Sequence, residues 1–197
     1  MKDFERLYKQ LDFIREIDKI KYILRRTKLF NSDRRENDAE HSWHLAVMAM
    51  VLHEHATQPV NLVRVMKMVL IHDIVEIDAG DVFFYDKTQS HDNRPEEYEA
   101  AKRIFGLLPS DQAEELTKLW IEFEEQQSFD AQFAKVLDRL EPLLQNASNQ
   151  GGTWMEHDVQ YDEVLESKLI MREAATPIWV YAKQLLEKCV EQGILKR

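Results

Sequence analysis

Residues 70–81 read LIHDIVEIDAGD. Leu70, Ile71, Ile74, Val75 and Ile77 make the stretch apolar enough to be buried, yet it also carries His72, Asp73, Glu76, Asp78 and Asp81. A buried charge is costly unless it is paired or coordinates a metal, so the rest of the chain must supply partners. The spacing predicts a helix from about 60 to 77, ended by a left-handed turn at Gly80. On it His72, Asp73 and Glu76 share a face, because residues three and four apart are neighbours. Three ionisable groups on an apolar helix call for a common counter-charge, which a divalent cation provides.

Hydrophobic residues make up 44% of the 197-residue chain, enough for a core, while Gly and Pro number only five each. Few helix breakers point to a helical protein. The single Cys, Cys189, excludes an intrachain disulfide and a zinc–thiolate cluster, and suits a reducing, cytoplasmic location. The first twenty residues are amphipathic and charged, so neither a signal peptide nor a membrane span is expected. A formal net charge of −10 disfavours nucleic-acid polymers as partners. It still permits a small anionic ligand, because a few local cations override the mean field.

Helices are expected at about 4–26, from Asp38 as N-cap through Leu52, and at about 95–106, 110–126 and 129–147, with Pro95 and Pro109 near starts. Two more are expected near 160–173 and 177–192, with Thr176 capping and Pro177 in the first position. Residues 25–38 read as a polar loop, and 82–93 as a loop that could lie over a pocket. No repeat, low-complexity tract or linker is evident. The expectation is an all-α, single-domain helical bundle over 1–197, with C-terminal helices at about 157–193.

Helix two offers His41 and His44, three apart. Asp138 interrupts the apolar series Phe133, Val136, Leu137 and Leu140. It either faces inward with them or pairs outside with Lys135 or Arg139; spacing leaves both open. His44 is expected to pack with Trp43 in the core, and His53 and His55 to finish helix two at the surface. His91 and His157 have no helical partner. The run WIEFEEQQ (120–127) is expected to be a solvated face rather than a pocket wall. Trp154 and Met155 are expected in a partner-facing loop. Trp179, Val180 and Tyr181 are left between core and interface.

The ordered set RR-x8-RENDAEHSWH (25–44), IHDIVEIDAGD (71–81) and KVLDRLEPLLQN (135–146) resembles the HD superfamily of metal-dependent phosphohydrolases, in particular its 5′-deoxynucleotidase-like branch. GGTWMEH (151–157) resembles a loop of one subgroup. An isolated His-Asp pair is a weak signal; the ordered set is specific. The resemblance implies a metal-site core over about 25–146, in which His41, His72, Asp73 and Asp138 bind one divalent metal per chain. It implies that Glu76 and Asp81 activate water and handle substrate, that Arg26 contacts phosphate, and that the protein forms a homodimer. Arg34 and Arg35 are further phosphate candidates. In the bacterial deoxynucleotidases a Trp follows the matching arginine; here Thr27 stands there, so a 2′-deoxy preference is not implied.

Two imidazoles and two carboxylates suit Mn²⁺, Co²⁺, Fe²⁺, Ni²⁺ or Zn²⁺ better than Mg²⁺. The expected reaction is attack of water on a nucleoside 5′-monophosphate, releasing nucleoside and phosphate. Another phosphoester or diphosphate substrate, or nucleotide binding without turnover, are the alternatives. Glu76 could instead hold His72, and Asp81 could cap the turn after Gly80.

Overall fold

The computed structural model describes residues 2–85 and 94–197. Helix α1 (Lys2–Ile17) is shorter than the sequence suggests, because the chain tightens into a 3₁₀ turn over Asp18–Tyr22 and then extends. The expected loop at 25–38 instead holds an antiparallel ribbon of β1 (Leu24–Lys28) and β2 (Arg35–Asn37). Leu24 pairs with Asn37 and Lys28 with Arg35, with an irregularity between them. Two strands alone are marginal in water; these lean on helices described below, and all other regular structure among the described residues is helical.

Asn37, not Asp38, caps α2 (Asp38–Leu52). Its side chain accepts from the Glu40 N–H at 3.0 Å, and Glu40 accepts from the Asn37 N–H at 3.2 Å. This reciprocal box satisfies two otherwise orphaned donors, and it frees Asp38 to turn inward, where it is fully buried. His53 and His55 close the helix in a 3₁₀ turn, His53 at the surface and His55 half-buried.

Helix α3 (Leu62–Ile71), capped by Asn61, stops before the predicted end at 77. The chain tightens to 3₁₀ over His72–Val75 and then forms α4 (Glu76–Ala79). Gly80 follows with φ 78° and ψ 152°. That is not the left-handed helical turn expected, but an extended positive-φ conformation that is essentially confined to glycine.

Helices α5 (Arg94–Phe105), α6 (Ser110–Glu125) and α7 (Phe129–Ser148) fall close to their expected spans. Of the 82–93 segment, residues 86–93, with His91, lie outside the described residues. The tail forms α8 (Gly152–Glu156), α9 (Tyr161–Glu166), α10 (Ile170–Ala174) and α11 (Thr176–Glu191). The single helix expected at 160–173 is thus broken by a turn at 167–169. Thr176 is the first residue of α11, and its side chain does not cap it.

Helix α3 packs on α2, α6 and α7, while α7 also meets α8, α10, α11 and β1. The buried apolar side chains form one cluster, with Phe133, Val136, Leu137 and Leu143 of α7 in it. Pro142 lies inside α7 and has no N–H to offer the Asp138 carbonyl one turn earlier. Among the described residues no helix is long and apolar enough to cross a membrane.

Candidate metal centre

The 3₁₀ turn after α3 fixes His72. Its Nδ1 donates to the Val69 carbonyl at 2.9 Å, and the indole of Trp120 donates to the His72 carbonyl at 3.2 Å. Nε2 is buried and has no hydrogen-bond partner. It faces carboxylate oxygens, Asp73 Oδ1 at 3.0 Å and Asp138 Oδ1 at 3.6 Å. A ring whose Nδ1 carries the proton presents a lone pair at Nε2, so acceptors confront an acceptor. Such an arrangement calls for a positive charge among them, a proton or a metal ion. Burial pulls the His72 pKa down, but the neighbouring Asp73 and Asp138 carboxylates prevail and hold it at about 8. The same negative field that attracts a proton attracts a metal ion.

His41 projects from the first turns of α2 and is wholly buried. Its Nε2 is 3.2 Å from Asp138 Oδ1. Ligand atoms of His41, His72 and Asp138 all lie within 4.8 Å of one another. Asp138 faces inward and is buried, so the outward alternative fails, although its other oxygen does meet Lys135 at 3.1 Å. Behind His41, Nδ1 lies 3.4 Å from Glu36 and 3.3 Å from Glu141, and Gln145 donates to Glu36 at 2.9 Å. Carboxylates in that position commonly orient a metal-binding imidazole. The donor chemistry, the burial and the unpaired Nε2 therefore fit a transition-metal ion held by His41, His72 and Asp138, with Asp73 adjacent.

A second acidic set adjoins it. Ligand atoms of Asp38, Asp73 and Glu76 cluster within the same 4.8 Å limit. Arg25 Nη1 pairs with Asp73 at 2.7 Å and with Asp38 at 3.3 Å. Burial and the Asp73 charge push Asp38 up to about 7, against the pull of Arg25. Glu76 is raised well above the usual range by burial, then by Asp73, Asp38 and Asp81. Burial would also raise Asp73, but the His72 and Arg25 charges carry it below the usual range. Asp81 is half-buried after Gly80 and is raised, chiefly by burial.

Arg25, His72, Asp73, Glu76, Asp81 and Asp138 line one cleft of about 300 Å³. Phe83, Phe84 and Tyr85 form part of its wall, so the described portion of the 82–93 segment does lie over a pocket. The Tyr85 hydroxyl and Ser167 Oγ lie 3.1 Å apart, and Ser167 donates to Val164. Trp154 is buried in α8 and lines the cleft, contrary to the partner-facing position expected, while Met155 is exposed. Glu124 lines it too, whereas Trp120 and Phe123 of the same run are buried, so 120–127 is not simply a solvated face.

Of the predicted residues, His41, His72, Asp73, Asp138, Glu76 and Asp81 converge. Arg26 is exposed and lines the cleft, but the inward arginine is Arg25, which sequence reasoning passed over. In a strand alternate residues share a face, and here Arg25 and Thr27 turn inward while Leu24 and Arg26 turn out. Arg34 is engaged by Glu40 in two 2.9 Å contacts, and Arg35 donates to the Arg26 carbonyl at 2.9 Å. His44 is not packed in the core with Trp43: the indole is exposed, and the imidazole lies 3.2 Å from Glu141. His157 stacks near Phe83 at 4.6 Å. Val180 and Tyr181 are exposed and Trp179 is half-buried.

A family model described as HD domain matches residues 17–179. Human 5′-deoxynucleotidase HDDC2 is 36% identical over 136 residues, 68% of this chain and 65% of that protein. The match therefore spans just under two-thirds of the human relative's length. The Schizosaccharomyces pombe 5′-deoxynucleotidase hdd1 is 26% identical over 56% of each chain. A crystal structure described as a predicted metal-dependent phosphohydrolase from Magnetospirillum magnetotacticum MS-1 superposes with TM-score 0.92 at 48% identity, covering 98% of this chain and 99% of that one. A conserved hypothetical protein from Pyrococcus furiosus shares the fold, with TM-score 0.65 at 20% identity, covering 92% of this chain and 99% of that one.

Proposed function

The chain belongs to the HD domain family, and on that premise we propose that it is a metal-dependent phosphohydrolase that cleaves nucleoside 5′-monophosphates to nucleoside and phosphate. The observation that carries the proposal is the buried His72 Nε2, unpartnered and facing only carboxylates, in the wall of a cleft that also contains cations. The names of the Magnetospirillum structure and of the human relative support the same chemistry.

His41, His72, Asp73 and Asp138 would hold one divalent transition metal per chain, which supplies Lewis acidity toward phosphate and a more acidic water. Glu76 and Asp81 face the same cleft. A carboxylate whose pKa is raised is a better proton acceptor near neutrality, and Glu76 is placed to take the proton of the attacking water. Asp81 stands by to protonate or orient the leaving oxygen. Arg25 neutralises Asp73 and Asp38, so that the cleft does not repel an anion outright. Arg26 steers the phosphate from the rim. Val82, Phe83 and Tyr85 supply an apolar portion of the cleft lining.

A homodimer and a cytoplasmic location complete the proposal. The exposed apolar stripe of Trp43, Val47, Met50 and Val51 on α2 supports the first, and the lone, buried Cys189 the second. The test is direct. Protein stripped by chelator and reloaded with Mn²⁺ or Co²⁺ should release phosphate from at least one nucleoside 5′-monophosphate, and His72→Ala should not. Full activity in His72→Ala would overturn the proposal.

A further inference from the structure

Lys168 sits in the turn between α9 and α10 and is only 4% exposed. Lysine is almost never buried this deeply unless paired. Yet its ammonium makes no hydrogen bond or ion pair among the described residues. Asp138 and Glu141 attract it from a distance, but both are committed elsewhere, Asp138 to His41 and Lys135, Glu141 to His41 and His44. Burial and the nearby Arg139 charge hold its pKa down at about 7, as expected for an ammonium kept short of counter-charge.

Lys168 lines the cleft together with Arg139 and Asp138. The Arg139 guanidinium lies over the Phe84 ring at 4.2 Å and pairs with no carboxylate among the described residues. An aromatic face holds a guanidinium in place without using up its N–H donors. Two cations in one cleft wall therefore have their donors available for a ligand. The other lining cations differ from these two: Arg25 is paired with Asp73 and Asp38 and Lys135 with Asp138, while Arg26 stands exposed at the rim.

We propose that Lys168 and Arg139 form the receptor for a dianionic phosphate group, and that they select phosphomonoesters over phosphodiesters in the hydrolysis proposed above. A monoester carries about two charges near neutrality and a diester one, so a pair of cations favours the former. Lysine serves phosphate as a point charge and arginine as a planar fork, which together bracket a tetrahedral dianion. The inference rests on the hydrolase proposal for its reaction, but not for its binding event.

The test uses the metal-reloaded 197-residue chain with inorganic phosphate as probe. Phosphate affinity is measured by calorimetry, metal content by elemental analysis and Tm by thermal melting. Rates are taken with an aryl phosphomonoester and an aryl phosphodiester. Lys168→Met should weaken phosphate binding about 10- to 100-fold, leave metal content unchanged and not lower Tm, since it removes an unpaired buried charge. Monoester KM should rise by a larger factor than diester KM, and Lys168→Arg should restore most of the affinity. Lys168→Gln removes the charge while keeping a polar end, and serves if the methionine variant does not fold. Phosphate affinity equal to that of the parent in the folded Met or Gln variant, or no phosphate binding by the parent, overturns the proposal. If the parent cleaves no phosphoester while Lys168→Met still loses phosphate affinity, the receptor stands and the hydrolase proposal falls.

Discussion

The Nδ1 of His72 lies 2.9 Å from the carbonyl oxygen of Val69, three residues earlier in the chain. A carbonyl can only accept, so the backbone selects which imidazole nitrogen carries the proton and which offers its lone pair to the cluster around Asp138. Loss of this ring should abolish metal retention. His72→Ala is expected to emerge from reloading with Co²⁺ without the ion, as judged by elemental analysis and the visible spectrum, while its far-ultraviolet circular dichroism stays helical.

Glu141 should matter for the metal without touching it. Its carboxylate lies 3.3 Å from His41 Nδ1, on the side away from Asp138. Removing such an orienting group typically costs about 10- to 100-fold in metal affinity. Glu141→Gln should show that loss in a competition titration with a chelator, with a smaller change in Tm.

Arg25 should be the most expensive cation to remove. Its guanidinium pairs with both Asp38 and Asp73. Leaving buried carboxylates uncompensated costs about 3–5 kcal/mol. Arg25→Met should lower denaturant stability by an amount of that order, measured by chemical unfolding, whereas Arg26→Met should change it little.

Gly80 should resist substitution for reasons of backbone alone. Nothing lies within 4 Å of where its Cβ would stand, yet its φ is 78°. Gly80→Ala should cost about 1–3 kcal/mol, and by displacing Asp81 should lower turnover more than it lowers Tm. Comparing unfolding with phosphate release checks this.

The Arg6–Asp111 pair joins α1 to α6 with contacts of 2.7 and 2.8 Å. The hydrogen bond to Arg6 pulls the Asp111 pKa down to about 2. A depressed carboxylate contributes above its unfolded pKa, about 3.9, and loses that contribution as pH falls through its folded value. Protection of α1 amides from hydrogen exchange should therefore weaken between about pH 4 and 2, and Asp111→Asn should flatten that dependence.

The helices that carry the cluster were legible because their signal is local. His41 follows a cap and His72 ends an apolar run, whereas the spacing of Asp138 leaves its direction open, and only the resemblance of the ordered set implies that it joins them. Arg25 escaped because 25–38 is polar enough to pass for a loop, although the strand alternation of Arg25 and Thr27 against Leu24 and Arg26 was there to be read. Asp38 reads as a cap although an equally good one, Asn37, stands beside it. Glu40, three residues after Asn37, is the feature that decides between them. The tightening at His72 has no such local mark, since it depends on what α6 and α7 press against it. Lys168 carries no signal at all in sequence: one lysine in a charged tail looks solvated until α7 is packed beside it.

The hydroxyl of Tyr85 rests on Ser167, the residue before Lys168. The aromatic wall and the anion receptor are thus yoked at a single joint. A neutral change such as Tyr85→Phe cuts that yoke without altering any charge, and so would loosen the grip on phosphate through mechanics alone. Discrimination among ligands in this cleft is consequently a property of stiffness as much as of electrostatics.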